Sequence, residues 1–237
     1  MTTDRQTELA GARAVDFPLR GEWYAVRSPG SRIPSHGTDV LAQRYAFDLQ
    51  RLGPGRRPHP AGWARTLVAG VPLRECYGWG ESVHAVLDGV VAAAVDGVPE
   101  REWLHPAREF WHAARAGVTF RPTAGNAQQL VGNHVIVRSG AVYAVYAHLV
   151  PGSVAVEEGQ DVGRGEVLGR VGSSGNSTAP HLHFQLMDDA DPLVAHAVPA
   201  VFTSYQVWHD GQWGLVHNAA PTTSERIRVI DGGAELH

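Results

Sequence analysis

The sequence contains no lysine, and all 20 of its basic residues are arginine. They are outnumbered by 24 acidic residues, which gives a net charge of −4, and no long basic run is present. This charge balance argues against a nucleic-acid or anionic-membrane partner. The single cysteine, Cys76, has no second cysteine with which to form an internal disulfide. Nothing in the sequence therefore indicates disulfide stapling for an oxidising compartment.

Long apolar runs are also missing. No stretch approaches the roughly 18 apolar residues of a membrane span, and the N-terminus lacks a basic start followed by an apolar run. We therefore expect no membrane span and a cytoplasmic protein, or an extracellular one if it is exported by another route. Charged residues make up 19% and hydrophobic residues 43% of the chain, which excludes a disordered chain and allows a substantial core.

The 27 glycines and 15 prolines are typical of a β-rich fold with many tight turns. Several segments alternate apolar and polar residues, so we predict an all-β fold built as an antiparallel β-sheet or β-sandwich. The exception is 99–117, whose aromatic and alanine spacing predicts a helical insertion. We expect one β-domain over 33–205, preceded by an N-terminal segment, 1–32, and followed by a C-terminal extension, 206–237.

Two of the 13 histidines stand one residue apart in "PHLHF", at His181 and His183. On a strand, residues i and i+2 point to the same face, which places their Cβ atoms roughly 6–7 Å apart. That spacing suits two ligands of one metal, or one ligand beside an acid–base group. It suits equally well two histidines that face solvent on an edge strand, and the motif alone does not decide between these readings.

Two other segments offer partners for this pair. "PSHGTDVLAQRYAFDLQR" contains His36, Asp39 and Asp48, and "YAVYAHL" ends in His148. Strand alternation places His148 on one face with Val142, Ala144 and Tyr146, at the rim where the strand ends. A catalytic zinc site uses three protein ligands and leaves one position open, so these segments could supply what the pair lacks.

Together these motifs resemble one family. The segment 146–187, with "YAHL", "GEVLGRVGSSG" and "PHLHF" in order, closely resembles the metal-binding half of lysostaphin/LytM-type zinc endopeptidases, which have a duplicated hybrid motif fold. "GESVHAVLDGVVAAAVDG" and "GNHVIV" extend the similarity to about 33–187. The resemblance implies one Zn²⁺ per chain and a site of five residues. It implies that His36, Asp48 and His183 are the metal ligands and that His148 and His181 are the catalytic pair.

The aspartate is where this sequence departs from the family. The common pattern is H-x-x-x-D, whereas Asp39 follows His36 at H-x-x-D and Asp48 follows it twelve positions later. We prefer Asp48 because apolar residues flank it in "YAFDL", and a carboxylate among apolar neighbours needs a partner such as a metal. Asp39 lies next to "HGT", where an aspartate commonly serves a turn, and it remains the alternative ligand.

The resemblance implies zinc-dependent hydrolysis of a peptide bond, with a cell-wall (peptidoglycan) or glycine-containing peptide as substrate. No H-E-x-x-H motif is present, which favours a histidine base, but the sequence does not say whether His148 or His181 is that base. Two alternatives stay open: a cytoplasmic peptidase that trims a non-wall peptide, and a non-catalytic peptide- or glycan-binding module. The sequence does not indicate the oligomeric state.

Overall fold

Alternating apolar residues along the centre of the chain form strands, and tight turns join them. The computed structural model describes residues 8–105, 123 and 127–229. In chain order the strands are β1 (Arg13–Val15), β2 (Gly21–Arg27), β3 (Phe47–Gln50), β4 (Val71–Pro72), β5 (Ser82–His84), β6 (Gly89–Val95), β7 (Trp103–Leu104), β8 (Asn133–Ser139), β9 (Val142–Leu149), β10 (Asp161–Val162), β11 (Val167–Arg170), β12 (Leu182–Met187), β13 (Ala197–Val198), β14 (Ala200–His209), β15 (Gln212–Ala219) and β16 (Arg226–Val229).

Helices are short within the described part of the chain. They are the α-helices α1 (Trp63–Val68) and α2 (Ala127–Val131) and the 3-10 segments Val40–Tyr45, Pro54–Arg56 and Leu73–Glu75. None of them is both long enough and apolar enough to cross a bilayer.

One twelve-stranded sheet organises the fold. Its strand order is β1-β14-β16-β2-β3-β12-β9-β8-β6-β10, with β13 added to β12 and β15 added to β14. Every pair in it is antiparallel except β1 with β14. Among the described residues, two further two-stranded sheets pair β11 with β5 and β4 with β7. The predicted all-β, largely antiparallel fold class is confirmed.

The two faces of the central strands differ in chemistry. Phe47, Phe184 and Phe202 are fully buried on one face, and the Phe47 and Phe202 ring centroids lie 4.8 Å apart. Asp48 and His183 alternate with these aromatics and project from the opposite face. Burial of the aromatic face fixes the register, because a one-residue slip would move every polar side chain into the core. The apolar core thereby holds the polar face in place.

The predicted helical insertion at 99–117 is wrong in its described part. Residues 99–105 contain β7, which pairs Leu104 with Val71, and Glu100 forms an isolated bridge with Ser174. Leu104 is buried against Leu73 and Cys76, so a tertiary contact outweighs the helical spacing. His105 also precedes Pro106 in the sequence, and a residue before proline disfavours the α conformation. The rest of the predicted helix, 106–117, lies outside the described residues.

The segments outside 33–205 contribute strands to the same large sheet. β2 pairs with β3 on one side and with β16 on the other. β14 runs through the boundary predicted at 205/206. The division into an N-terminal segment, a β-domain and a C-terminal extension stays a prediction, but the strands of all three are hydrogen-bonded together.

Candidate metal centre and active site

Two neighbouring strands bring Asp48 and His183 side by side. They are direct register partners between β3 and β12, although 135 positions separate them in the sequence. Asp48 Oδ1 lies 3.0 Å from His183 Nδ1, and Asp48 Oδ2 lies 3.0 Å from His36 Nε2. One ligand atom from each of the three side chains lies within 4.8 Å of the other two. The structure thus assembles two imidazoles and one carboxylate around a single point.

His36 reaches this point from the loop that precedes β3. Ser35 Oγ donates to the Gln43 carbonyl at 3.2 Å, so its lone pairs are free to accept the hydrogen of His36 Nδ1 at 3.0 Å. The backbone N–H of Ser35 also donates to the Arg44 carbonyl. These bonds turn Nε2 of His36, rather than Nδ1, towards Asp48.

Asp39 lies away from this cluster. Both of its carboxylate oxygens accept from Arg44, at 3.0 and 3.1 Å, and its side chain is 61% exposed, against 11% for Asp48. The structure therefore brings Asp48, and not Asp39, together with His36 and His183. The role of the three residues as ligands stays a prediction.

The other two predicted histidines lie directly beside the cluster. The ring centroid of His148 is 4.9 Å from that of His181 and 5.9 Å from that of His183. Nδ1–H of His148 donates to the Ser174 carbonyl at 2.9 Å, and Nδ1–H of His181 donates to the Ala179 carbonyl at 2.8 Å. In both residues Nε2 is therefore the nitrogen left for chemistry in the cavity.

A bulge near the end of β9 orients His148. Asn133 pairs with Leu149 and His134 pairs with Ala147, so the ladder between β8 and β9 skips His148. His148 also has a φ of 65°, a left-handed conformation that costs about 1–3 kcal/mol for a residue other than glycine. Its carbonyl is held by the N–H of Gly172 at 3.0 Å. Strain of this kind is typical of functional sites.

The bulge corrects one expectation from strand alternation. Tyr146 was expected to share a face with His148, but its ring packs in the core 5.5 Å from the Phe184 ring. Its hydroxyl accepts from the N–H of Val86. His148 instead projects into the cavity together with its neighbour Ala147. An extra residue in a strand reverses the alternation beyond it, and the sequence pattern did not reveal this.

Burial and charge set the protonation of the cluster. Burial raises the pKa of Asp48, but the neighbouring imidazoles of His181, His183 and His36 outweigh it and hold that pKa well below its usual range. Burial also lowers the pKa of His36, against the opposing effect of Asp48. An ionised carboxylate beside a neutral imidazole is the donor state that a divalent cation requires.

The two remaining histidines shift in opposite directions. Burial, reinforced by His181 and His183, lowers the pKa of His148 well below 6.5, so His148 is neutral at pH 7. Burial also acts to lower the pKa of His181, but the charge of Asp48 and a hydrogen bond to it raise that pKa overall. Two imidazoles with divergent pKa values are suited to the separate roles of base and hydrogen-bond donor.

The donor set fits a zinc ion. Zinc binds imidazole nitrogens and carboxylate oxygens, and a catalytic zinc takes three protein ligands. His183 Nε2 lies 2.9 Å from Gln185 Oε1, and His36 Nδ1 lies 3.0 Å from Ser35 Oγ. Each histidine thus engages its outer nitrogen with a neighbouring side chain, as metal-binding histidines usually do.

An open cavity of about 980 Å³ lies over the cluster. Its described lining includes all five predicted site residues together with Ile136, Val145 and Met187, which form an apolar floor. Arg27 and Gln185 also line it and were missed from the sequence. Gln185 could have been found, because it lies two positions after His183 on the same face of β12. No comparable sequence pattern indicated that Arg27 would lie at the site.

A family comparison agrees with this geometry. Residues 111–194 match the model of Peptidase family M23. The match includes His148, His181 and His183, but it begins at residue 111 and therefore does not include His36 and Asp48. Over this part of the chain, the predicted resemblance to lysostaphin/LytM-type enzymes is confirmed.

Curated relatives are similar over part of the chain. Peptidoglycan DD-endopeptidase ShyA of Vibrio cholerae serotype O1 is 38% identical over 65 residues, which cover 27% of this chain and 15% of that protein. DD-carboxypeptidase/endopeptidase Mpg of Neisseria meningitidis serogroup B is 35% identical over 130 residues, which cover 51% of this chain and 26% of that protein. The chain thus spans about a quarter or less of the length of these relatives.

Among solved structures, the catalytic domain of lysostaphin from Staphylococcus simulans aligns with a TM-score of 0.38 and 16% identity. That alignment covers 81% of this chain and 92% of the other. The catalytic domain of the M23 protein EnpA from Enterococcus faecalis aligns with a TM-score of 0.39 and 17% identity, and it covers 75% and 88% of the two chains.

Proposed function

We propose that this chain is a zinc-dependent endopeptidase that cleaves a peptide bond of peptidoglycan. The observation that carries the proposal is the convergence of three ligand-type side chains and two further histidines in one open cavity. The named activities of ShyA and Mpg support the choice of peptidoglycan as substrate. With a wall substrate, the location we propose is outside the cytoplasm.

His36, Asp48 and His183 would hold the zinc ion. When bound, zinc lowers the pKa of water from 15.7 towards about 7 and polarises a carbonyl group. We assign the base to His148, because its neutral imidazole offers the Nε2 lone pair while Nδ1–H is committed to the Ser174 carbonyl. Nε2 of His148 accepts the proton of the attacking water and later delivers it to the leaving amine.

We assign the hydrogen-bond donor to His181. Its Nδ1–H is bound to the Ala179 carbonyl, and the charge of Asp48 raises its pKa, which favours a second hydrogen on Nε2. Nε2–H of His181 donates to the scissile carbonyl oxygen as negative charge develops there. The apolar floor formed by Ile136, Val145 and Met187 excludes water beneath the substrate, which strengthens that hydrogen bond.

Digestion of isolated peptidoglycan tests this function. Zinc-loaded protein is expected to convert cross-linked muropeptide dimers into monomers, measured by chromatography and mass spectrometry. Addition of a chelator should stop the conversion, and added zinc should restore it. A panel of glycine-containing peptides, digested in parallel, shows whether the protein cleaves a cross-link of the wall or a bond within a glycine bridge. Fully zinc-loaded protein that cleaves neither the wall nor the panel would contradict the proposal.

Gln185 is predicted to hold His183 in the correct tautomer for metal binding. Gln185 Nε2 donates to the Leu41 carbonyl at 2.8 Å, which points Oε1 at His183 Nε2 and fixes the hydrogen on that nitrogen. His183 Nδ1 is then left with its lone pair facing Asp48. We expect Gln185→Leu to weaken zinc affinity about 10- to 100-fold, measured by competition with a chelating dye.

Two further variants sharpen this prediction. Gln185→Glu keeps an acceptor for His183 Nε2 and should lose less affinity than Gln185→Leu. Gln50→Leu is the matched control, because Gln50 lines the same cavity but donates to the Pro180 carbonyl rather than contacting a histidine. Equal zinc affinity in Gln185→Leu and Gln50→Leu would contradict the role of Gln185.

A further inference from the structure

A row of five residues crosses the sheet beneath the cavity. Each is the register partner of the next on five adjacent strands, in the order β2, β3, β12, β9, β8: Arg27, Asp48, His183, Ala147, His134. Cross-strand partners project from the same face of a sheet. Adjacent strands lie about 4.8 Å apart, so the row is about 19 Å long, the span of an extended peptide of five to six residues. The metal cluster occupies its middle.

The two ends of the row differ in chemistry. At one end Arg27 places a guanidinium at the rim, with its side chain 56% exposed. No other arginine, and no lysine, occurs among the described residues that line the cavity. At the other end His134 Nδ1 donates to the Gly132 carbonyl, and Ala147 and Ile136 supply apolar surface. A peptide lying along the row therefore meets a cation on one side of the metal cluster only.

The ion pair with Asp48 leaves the guanidinium of Arg27 available to a further partner. Arg27 Nε lies 3.6 Å from Asp48 Oδ2, beyond hydrogen-bonding distance, while His36 and His183 contact the two carboxylate oxygens at 3.0 Å. Among the described residues, Asp48 is the only acidic group within 4.0 Å of Arg27. The planar donor fork of Arg27 is thus close to the metal cluster and available to a carboxylate of a bound molecule.

We propose that Arg27 binds a free α-carboxylate on the leaving-group residue, directly beside the scissile amide. This inference rests on the proposed peptidase function and narrows its substrate. An α-carboxylate is one carbon atom away from the leaving nitrogen, which matches the closeness of Arg27 to the metal cluster. The leaving residue carries such a group when a C-terminal residue is removed. It also carries one when the cross-link is made to an amino group whose own carbon atom bears a free carboxylate. Such a group is absent from an internal bond of a glycine bridge.

The test uses two probes that differ only at this carboxylate: diacetyl-lysyl-D-alanyl-D-alanine and its C-terminal carboxamide. Zinc-loaded wild-type protein is expected to show a kcat/KM about 10- to 100-fold higher for the free acid, the range for a charge-assisted hydrogen-bonded pair. In Arg27→Gln the ratio between the two probes should fall close to one. Arg27→Lys, which keeps the charge without the fork, should give an intermediate ratio.

Affinity measured without turnover separates this inference from the proposed function. Calorimetry on zinc-loaded His148→Ala gives the dissociation constant for each probe, and Arg27→Gln is added in that background. Arg13→Gln is the control, because Arg13 is an exposed arginine of β1 that does not line the cavity. Zinc content is measured in each variant, so that any loss of zinc caused by displacement of Asp48 is detected.

The outcomes are distinct. A preference for the free acid that Arg27→Gln abolishes and Arg13→Gln retains supports the inference, even if neither probe is cleaved. Cleavage of both probes with equal kcat/KM and equal affinity overturns the role of Arg27 and leaves the peptidase function standing. A preference that survives in Arg27→Gln at full zinc content also overturns it.

Discussion

His148→Ala is expected to lower kcat about 10²- to 10⁴-fold while leaving zinc binding intact, because a general base contributes a factor of that size. His148 touches no ligand atom of the metal cluster by hydrogen bond, and its Nδ1 is committed to the Ser174 carbonyl. The imidazole of His148 can therefore be removed without disrupting the metal cluster. The measurement is the rate of muropeptide cleavage at saturating substrate, with zinc content determined on the same sample.

His181→Ala tests the partner role in the same assay. It removes the proposed hydrogen-bond donor to the developing oxyanion, and we expect a loss of about 10²- to 10³-fold in kcat. His217→Ala is the control, since His217 is exposed on β15 outside the cavity. Activity within threefold of wild type in His148→Ala at full zinc content would contradict the assignment of the base.

Zinc is expected to raise the melting temperature of the wild-type protein by about 8–16 °C. The three proposed ligands come from the loop before β3, from β3 and from β12, so only the folded chain brings them together. A ligand that binds the folded state alone adds about 4 kcal/mol at a free concentration of 1,000 times its dissociation constant. Each kcal/mol shifts the melting temperature of a domain this size by about 2–4 °C.

Calorimetric melting with a chelator and with added zinc measures this shift. His183→Ala and Asp48→Ala should melt at the same temperature in both conditions. Asp39→Ala should keep the wild-type shift, because the Asp39 carboxylate is paired with Arg44 outside the cluster. A zinc-dependent shift that persists in His183→Ala would place the metal elsewhere.

Much of the fold and the cluster follows from strand alternation. "FDL" and "LHF" each set a polar residue between two apolar ones, and the structure buries the apolar residues and turns Asp48 and His183 to the other face. The preference for Asp48 over Asp39 rested on this local chemistry. The structure places Asp48 in the cluster and leaves Asp39 in an exposed ion pair.

Features that depend on tertiary geometry were not predictable. The bulge at His148 is fixed by its ladder neighbours and by Gly172, which contacts it across 24 positions of sequence. Arg27 faces the cavity because a register irregularity in β2 pairs it with Asp48, and no local pattern indicates that irregularity. Trp103 and Leu104 lie in the segment predicted to be helical, but their pairing with Pro72 and Val71 decides their conformation.

The measurement that bears most directly on the metal centre is zinc stoichiometry by mass spectrometry of Asp48→Ala beside Asp39→Ala, both reconstituted and desalted together with wild type. We expect about one zinc per chain in wild type and Asp39→Ala, since a catalytic site holds a single ion, and almost none in Asp48→Ala. Full zinc occupancy in Asp48→Ala would contradict the account, and loss of zinc in Asp39→Ala instead would move the ligand to Asp39.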